Sequence, residues 1–118
     1  WKGVTMEDGR VVKLRLPYMG LGGTVPPEIG QLTSLTVLDL SANPLTSVPA
    51  KIGQLTSLVR LFLIGNQLTS VPAEIGQLTS LKVLYLYGNQ LTSVSAALRG
   101  LRAAGCQVHL DDAVTVDE

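Results

Sequence analysis

The chain has 118 residues, 46% apolar and 15% charged, a composition that builds a packed core and excludes a disordered tail. Nine basic and nine acidic residues give a formal charge of zero, without the basic excess expected of a nucleic-acid or anionic-lipid binder. The length suits one domain, 1–118, and no apolar run approaches the ~20 residues of a membrane helix.

Taken in chain order, the first recurring unit begins at Val11, with apolar residues at Val11, Leu14, Leu16, Met19 and Leu21. Its spacing returns 24 residues later as Leu35, Leu38, Leu40, Asn43 and Leu45. Two further copies follow at a period of 23: Leu58, Leu61, Leu63, Asn66, Leu68, then Leu81, Leu84, Leu86, Asn89, Leu91. The segment Ile29–Leu35 recurs almost verbatim as Ile52–Leu58 and Ile75–Leu81. Leu-x-Leu has a period of two and reads as a strand with one buried face. An asparagine just after it needs partners for its amide, and stacked turns with free backbone groups supply them. Pro49 and Pro72 cannot donate to a sheet, so each unit returns through an irregular segment, with Val48, Ile52 and Leu55 closing the core from the far side. One unit alone exposes half its apolar residues, and stacking covers them.

The last unit changes. Ser95 replaces the proline, and Ser95–Gly105 reads as a helix with a serine N-cap, a glycine stop, and Leu98 and Leu101 facing the core. Cys106, Val108 and Leu110 alternate as a final strand. Asp111, Asp112, Asp117 and Glu118 then place negative charge at the exposed end, a device that blunts an open edge.

Three in-phase copies of Leu-x-x-Leu-x-Leu-x-x-Asn-x-Leu resemble the leucine-rich-repeat family over almost the whole chain. The resemblance implies an α/β solenoid. Its expected form is a leucine-rich-repeat horseshoe segment with a short parallel sheet on the concave face, irregular or 3-10 convex turns and a C-terminal capping helix. It divides the chain into an N-terminal cap (1–10), repeats at 11–34, 35–57, 58–80 and 81–94, and a C-terminal cap (95–118). Leu21-Gly-Gly-Thr-Val-Pro26 is similar to the Leu-x-Gly-x-Ile-Pro signature of plant-type repeats. Trp1-Lys-Gly-Val4 followed by Gly9-Arg-Val-Val12 is similar to the N-terminal cap of plant-type receptors, with Met6 near the place of a cap cysteine.

The start at Trp1, without Met, reads as a processed product or an excised fragment, and the cap at 95–118 makes the array look nearly complete. Cys106 is the only cysteine, so no internal disulfide forms, and no Asn-x-Ser/Thr acceptor occurs. With no signal peptide in this segment, these features point to the cytoplasm.

Little in the chain carries reaction chemistry. Gly20-Leu-Gly-Gly-Thr24 lacks the Lys-Ser/Thr of a phosphate-cradling loop and falls inside the first repeat. His109 is the only histidine, and Cys106, three residues earlier, points to the opposite face of a strand. No Ser-His-Asp arrangement or metal-ligand cluster is legible, so neither catalysis nor a cofactor is expected.

The residues between the buried leucines point away from the core. They form three columns: Lys13, Val37, Arg60, Val83; Arg15, Asp39, Phe62, Tyr85, with His109 continuing it; and Pro17, Ser41, Ile64, Tyr87. Three of the five aromatics fall here. The expected partner-binding face is therefore Phe62, Ile64, Tyr85 and Tyr87, with Arg60, Asp39, Arg15 and Lys13 orienting the partner. The reading is a non-catalytic protein–protein interaction module for a protein or peptide partner, with neither nucleic acid nor membrane. Two alternatives stay open: a structural scaffold without an evolved partner, including a homodimer through the aromatic face, and a receptor ectodomain fragment that binds a peptide.

Overall fold

Each Leu-x-Leu triplet becomes one rung of a ladder in the computed structural model, which describes residues 2–116. Trp1, Asp117 and Glu118, assigned above to the two caps, lie outside the described residues. The strands in chain order are β1 (Val4–Glu7), β2 (Arg10–Arg15), β3 (Gly23–Thr24), β4 (Val37–Asp39), β5 (Leu45–Ser47), β6 (Arg60–Phe62), β7 (Val83–Tyr85), β8 (Ser93–Val94), β9 (Gln107–His109) and β10 (Thr115–Val116). Six of them form one sheet in the order β1-β2-β4-β6-β7-β9. From β2 onward every pairing is parallel. This sheet is the concave side of a leucine-rich-repeat solenoid.

The first pairing differs from the rest. β1 and β2 run antiparallel around Asp8-Gly9, whose φ values of 51° and 77° are both left-handed. Asp-Gly is a favoured pair for a two-residue hairpin turn. The hairpin gives β2 a partner on its outer edge.

The return of each coil runs through the 3-10 turns η1 (Pro27–Gln31), η2 (Ala50–Gln54) and η3 (Ala73–Gln77). Each starts after an extended proline, Pro26, Pro49 or Pro72, whose fixed φ sets the chain up for the turn. Where Ser95 replaces proline, a true helix, α1 (Ala97–Ala103), forms instead. The N-cap position falls on Ala96 rather than on Ser95 as expected, and Ser95 Oγ, one residue earlier, accepts the Ala97 N–H at 3.2 Å. Gly105, at φ 97°, stops it. Gly105 N–H donates to Arg102 O and Cys106 N–H to Leu101 O, the paired bonds of a Schellman ending.

The core is a column of leucines. Leu35, Leu38, Leu55, Leu58, Leu61, Leu68, Leu78, Leu84 and Leu98 are fully buried. A buried leucine is worth about 1.5–3 kcal/mol relative to exposure, so this column is the main stabilising term.

The asparagines bind the coils together. Asn66 Nδ2 donates to Leu63 O in its own coil (3.2 Å) and to Leu40 O in the preceding one (3.1 Å). Its Oδ1 accepts Leu45 N–H at 3.3 Å. Asn43 and Asn89 repeat the arrangement, on Leu16, Leu40, Met19 and Leu21 for the first and Leu63, Leu86 and Leu68 for the second. Asn43 and Asn66 are almost fully buried and fully used, so the amide costs nothing there.

Candidate functional site

Strand register fixes which outward side chains can meet. Arg15, Asp39, Phe62, Tyr85 and His109 stand opposite one another across β2, β4, β6, β7 and β9. Lys13, Val37, Arg60, Val83 and Gln107 form the neighbouring column in the same way. Adjacent members of a column are about 4.8 Å apart, the spacing of hydrogen-bonded strands.

That spacing suits stacked rings. Phe62 and Tyr85 stack with centroids 5.1 Å apart and planes 11° apart. Tyr85 and His109 continue the stack at 4.6 Å and 11°. Tyr87 leans on His109 at 5.8 Å and 46°, and its hydroxyl lies 3.2 Å from His109 Nδ1. His109, which the sequence placed only at the margin, thus links Tyr87 to the Phe62–Tyr85 stack. His109 is half-buried rather than a plain surface residue, and its Nε2 is buried with no hydrogen-bond partner among the described residues. Cys106 lies on the opposite side of the strand, buried, with its thiol directed to Gln107 O. Burial pushes that thiol's pKa up, and nearby Lys82 offsets part of the rise.

The remaining residues of the expected face surround the stack. Ile64 follows β6 and is half-buried, while Tyr87 is 40% exposed. Arg60 and Arg15 are exposed and Lys13 is half-buried. Asp39 accepts Ser41 N–H at 3.0 Å, so its carboxylate is held against its own turn. Val37, counted in an outward column, is buried, flanked in register by Lys13 and Arg60. Long cationic side chains cover apolar neighbours with their methylene stems while the charge stays in water. Asp111, expected as a solvated cap charge, also accepts Gly88 N–H at 3.0 Å.

Two features escaped the sequence. Tyr18 is 84% exposed on the turn after β2, at the margin of the concave face, with its N–H donating to Ser41 O. An apolar groove of about 470 Å³ lies at the N-terminal end, lined by Leu14, Leu16, Leu21, Val25, Ile29 and Leu45 among others. The signal for both is the departure of residues 17–24 from the repeat.

A family model of the leucine-rich repeat region matches residues 7–106. Phytosulfokine receptor 2 of Arabidopsis thaliana is 51% identical over 47 residues, 36% of this chain and 4% of that protein. The ectodomain of the receptor kinase SOBIR1 from Arabidopsis thaliana superposes with a TM-score of 0.78 at 32% identity, covering 90% of this chain and 64% of that one. A leucine-rich-repeat protein of Leptospira interrogans is 40% identical, with a TM-score of 0.63 over 73% of this chain and 22% of its own. The chain spans between 4% and 7% of the length of the curated relatives it matches.

These likenesses overturn the cytoplasmic expectation. The plant relatives among them are receptors, receptor kinases and their ectodomains, which points to an extracellular or membrane-associated setting. The physical reason lies in the fold. Leucine packing and the asparagine ladder hold these coils without a disulfide, so cysteine count does not report the compartment. No helix among the described residues is long and apolar enough to cross a membrane. The repeat read in the sequence, the coils it builds and the match over residues 7–106 agree that the chain belongs to the leucine-rich-repeat family.

Proposed function

We propose that this chain is a non-catalytic, receptor-like module that takes a protein or peptide partner on its concave face. The observation that carries the reading is the ring stack of Phe62, Tyr85 and His109, with Tyr87 against it, on the outward side of a rigid sheet. Aromatic side chains bury large area at small entropic cost, which suits them as anchors. Ile64 extends the apolar patch, and Arg60, Asp39, Arg15 and Lys13 border it. Likeness to a receptor and to a receptor-kinase ectodomain supports the same reading. Residues 1–10 and 95–118 act as caps of one unit with repeats at 11–34, 35–57, 58–80 and 81–94.

Size bears on affinity. Six strands leave five gaps of about 4.8 Å, so the face is about 24 Å long. A standard interface needs about 800 Å² per partner, so the turns beside the strands, Tyr18 included, share in the contact.

A second reading is favoured by the near-verbatim repeats, which a scaffold without an evolved partner also produces. Self-association through the aromatic face is its variant. Light scattering after size exclusion, over a hundredfold concentration range, separates them. A constant monomer of 12.5 kDa leaves the face free for a partner. A dimer that dissociates only in Phe62→Ser/Tyr85→Ser assigns the face to self-association and overturns the partner reading.

A further inference from the structure

We propose that the partner on the concave face is an extended peptide segment in which an acidic residue and an apolar residue stand two positions apart. This rests on the concave face being the binding surface and adds the chemistry of what binds there.

Charge on this face is lopsided although the chain as a whole is neutral. Lys13 and Arg60 share one column and Arg15 heads the next, against a single carboxylate, Asp39. Asp39 is engaged by the Ser41 N–H. Neither Lys13, Arg15 nor Arg60 forms an ion pair or hydrogen bond with another described side chain. Among the described residues the other carboxylates lie away from these cations: Glu7 pairs in register with Arg10, Asp8 is in the hairpin turn, Glu28 and Glu74 are on the 3-10 turns, and Asp111 and Asp112 follow β9. The cations therefore face solvent beside an apolar stack, and a carboxylate from outside is the group that complements them.

Spacing adds the second half. Arg60 and Phe62 lie on one strand two residues apart, on the same face, about 6.6–6.8 Å from each other. Alternate residues of an extended peptide have the same separation, so a peptide aligned with β6 sets a carboxylate on Arg60 and an apolar side chain on Phe62. An arginine fork takes a carboxylate bidentately, which adds direction to the contact. Lys13 lies two strands away in the same column as Arg60, about 10 Å to the side of a peptide aligned with β6, so it adds attraction at a distance rather than a direct contact. Nucleic acid also seeks cations, but three of them on a neutral chain make a weak phosphate track.

The test is a selection of phage-displayed random 12-residue peptides on the full chain, with Phe62→Ser/Tyr85→Ser as a comparison surface on which the enriched peptides are measured afterwards. Enriched peptides are then synthesised with a fluorescent label and titrated by anisotropy. Expected is enrichment of acidic residues two positions from an apolar one, and a loss of about tenfold or more in affinity for Arg60→Glu, with a smaller loss for Lys13→Glu. Circular dichroism checks the fold of each variant, and Arg60→Gln gives an intermediate loss without charge reversal. Enriched peptides that lack acidic residues, or that bind Arg60→Glu unchanged, overturn this inference and leave the concave face standing as the site. Peptides that bind the Phe62→Ser/Tyr85→Ser variant equally well overturn both. A labelled single-stranded oligonucleotide binding as tightly as the peptides overturns the peptide assignment.

Discussion

Tyr18 occupies the place in its coil that Gly88 occupies three coils later, and both are left-handed, at φ 56° and 73°. Ala42 and Gly65 fill the same place in between, at φ 58° and 71°. Glycine adopts this backbone without penalty, whereas a residue with a Cβ pays for it. An aromatic residue therefore sits at a strained turn, 84% exposed, at the margin of the proposed site.

Tyr18→Gly should stabilise the fold by about 1 kcal/mol, because relief of the left-handed strain exceeds the entropy that glycine adds to the unfolded chain. Thermal melting checks it. The same substitution should weaken partner binding if Tyr18 shares in the contact. An unchanged or lower Tm would show that the turn is not strained.

Asn66→Ala should destabilise by about 1–3 kcal/mol, since it strands the buried N–H of Leu45, whereas Leu40 O keeps Asn43 Nδ2 and Leu63 O keeps Asn89 Nδ2. Urea unfolding gives the value. Asn89→Ala should cost less, because Asn89 is only half-buried and water can replace part of its role.

Two glycines should respond in opposite directions to alanine. A Cβ on Gly53 would lie 2.7 Å from Glu74 O of the next coil, so the coils must part, and overpacking of this kind costs about 1–3 kcal/mol. A Cβ on Gly100 meets nothing within 4 Å on α1, so Gly100→Ala should stabilise by about 0.5–1 kcal/mol. Melting curves of the two variants decide it. Equal effects would mean that coil-to-coil contact at Gly53 is not tight.

Cys106 should make stability fall at high pH. Its thiol is buried, and its pKa is raised above the ordinary 9.0. Between that value and the folded one, the unfolded chain releases the proton while the folded chain keeps it, so unfolding gains. The thiol's contribution is thus fully present below about pH 9 and lost as pH rises towards the folded value. Urea unfolding from pH 8 to pH 10.5 should show a drop that is smaller in Cys106→Ala. A disulfide-exchange reagent should likewise label Cys106 slowly until the chain is unfolded.

What the sequence by itself determined is the solenoid. The positions of Leu35, Leu58 and Leu81 and of Asn43, Asn66 and Asn89 set the period, the strands and the ladder, because each is a local pattern repeated in phase, and the break in that pattern at Ser95–Gly105 marked the helix. Register also followed, since stacked identical units can pair in only one way, and it put Phe62 beside Tyr85. What only the tertiary structure decided are matters of distance and exposure. His109 comes from outside the repeat, so its place in the ring stack depends on how β9 docks on β7. Val37 alternates like an exposed residue, yet it is covered because Lys13 and Arg60 flank it. Tyr18 and the N-terminal groove lie where the repeat breaks down, and a pattern carries no information where it stops repeating. The compartment was misjudged for a related reason: the absence of disulfides reflects how leucines and asparagines hold the coils together, and that packing is the same on either side of a membrane.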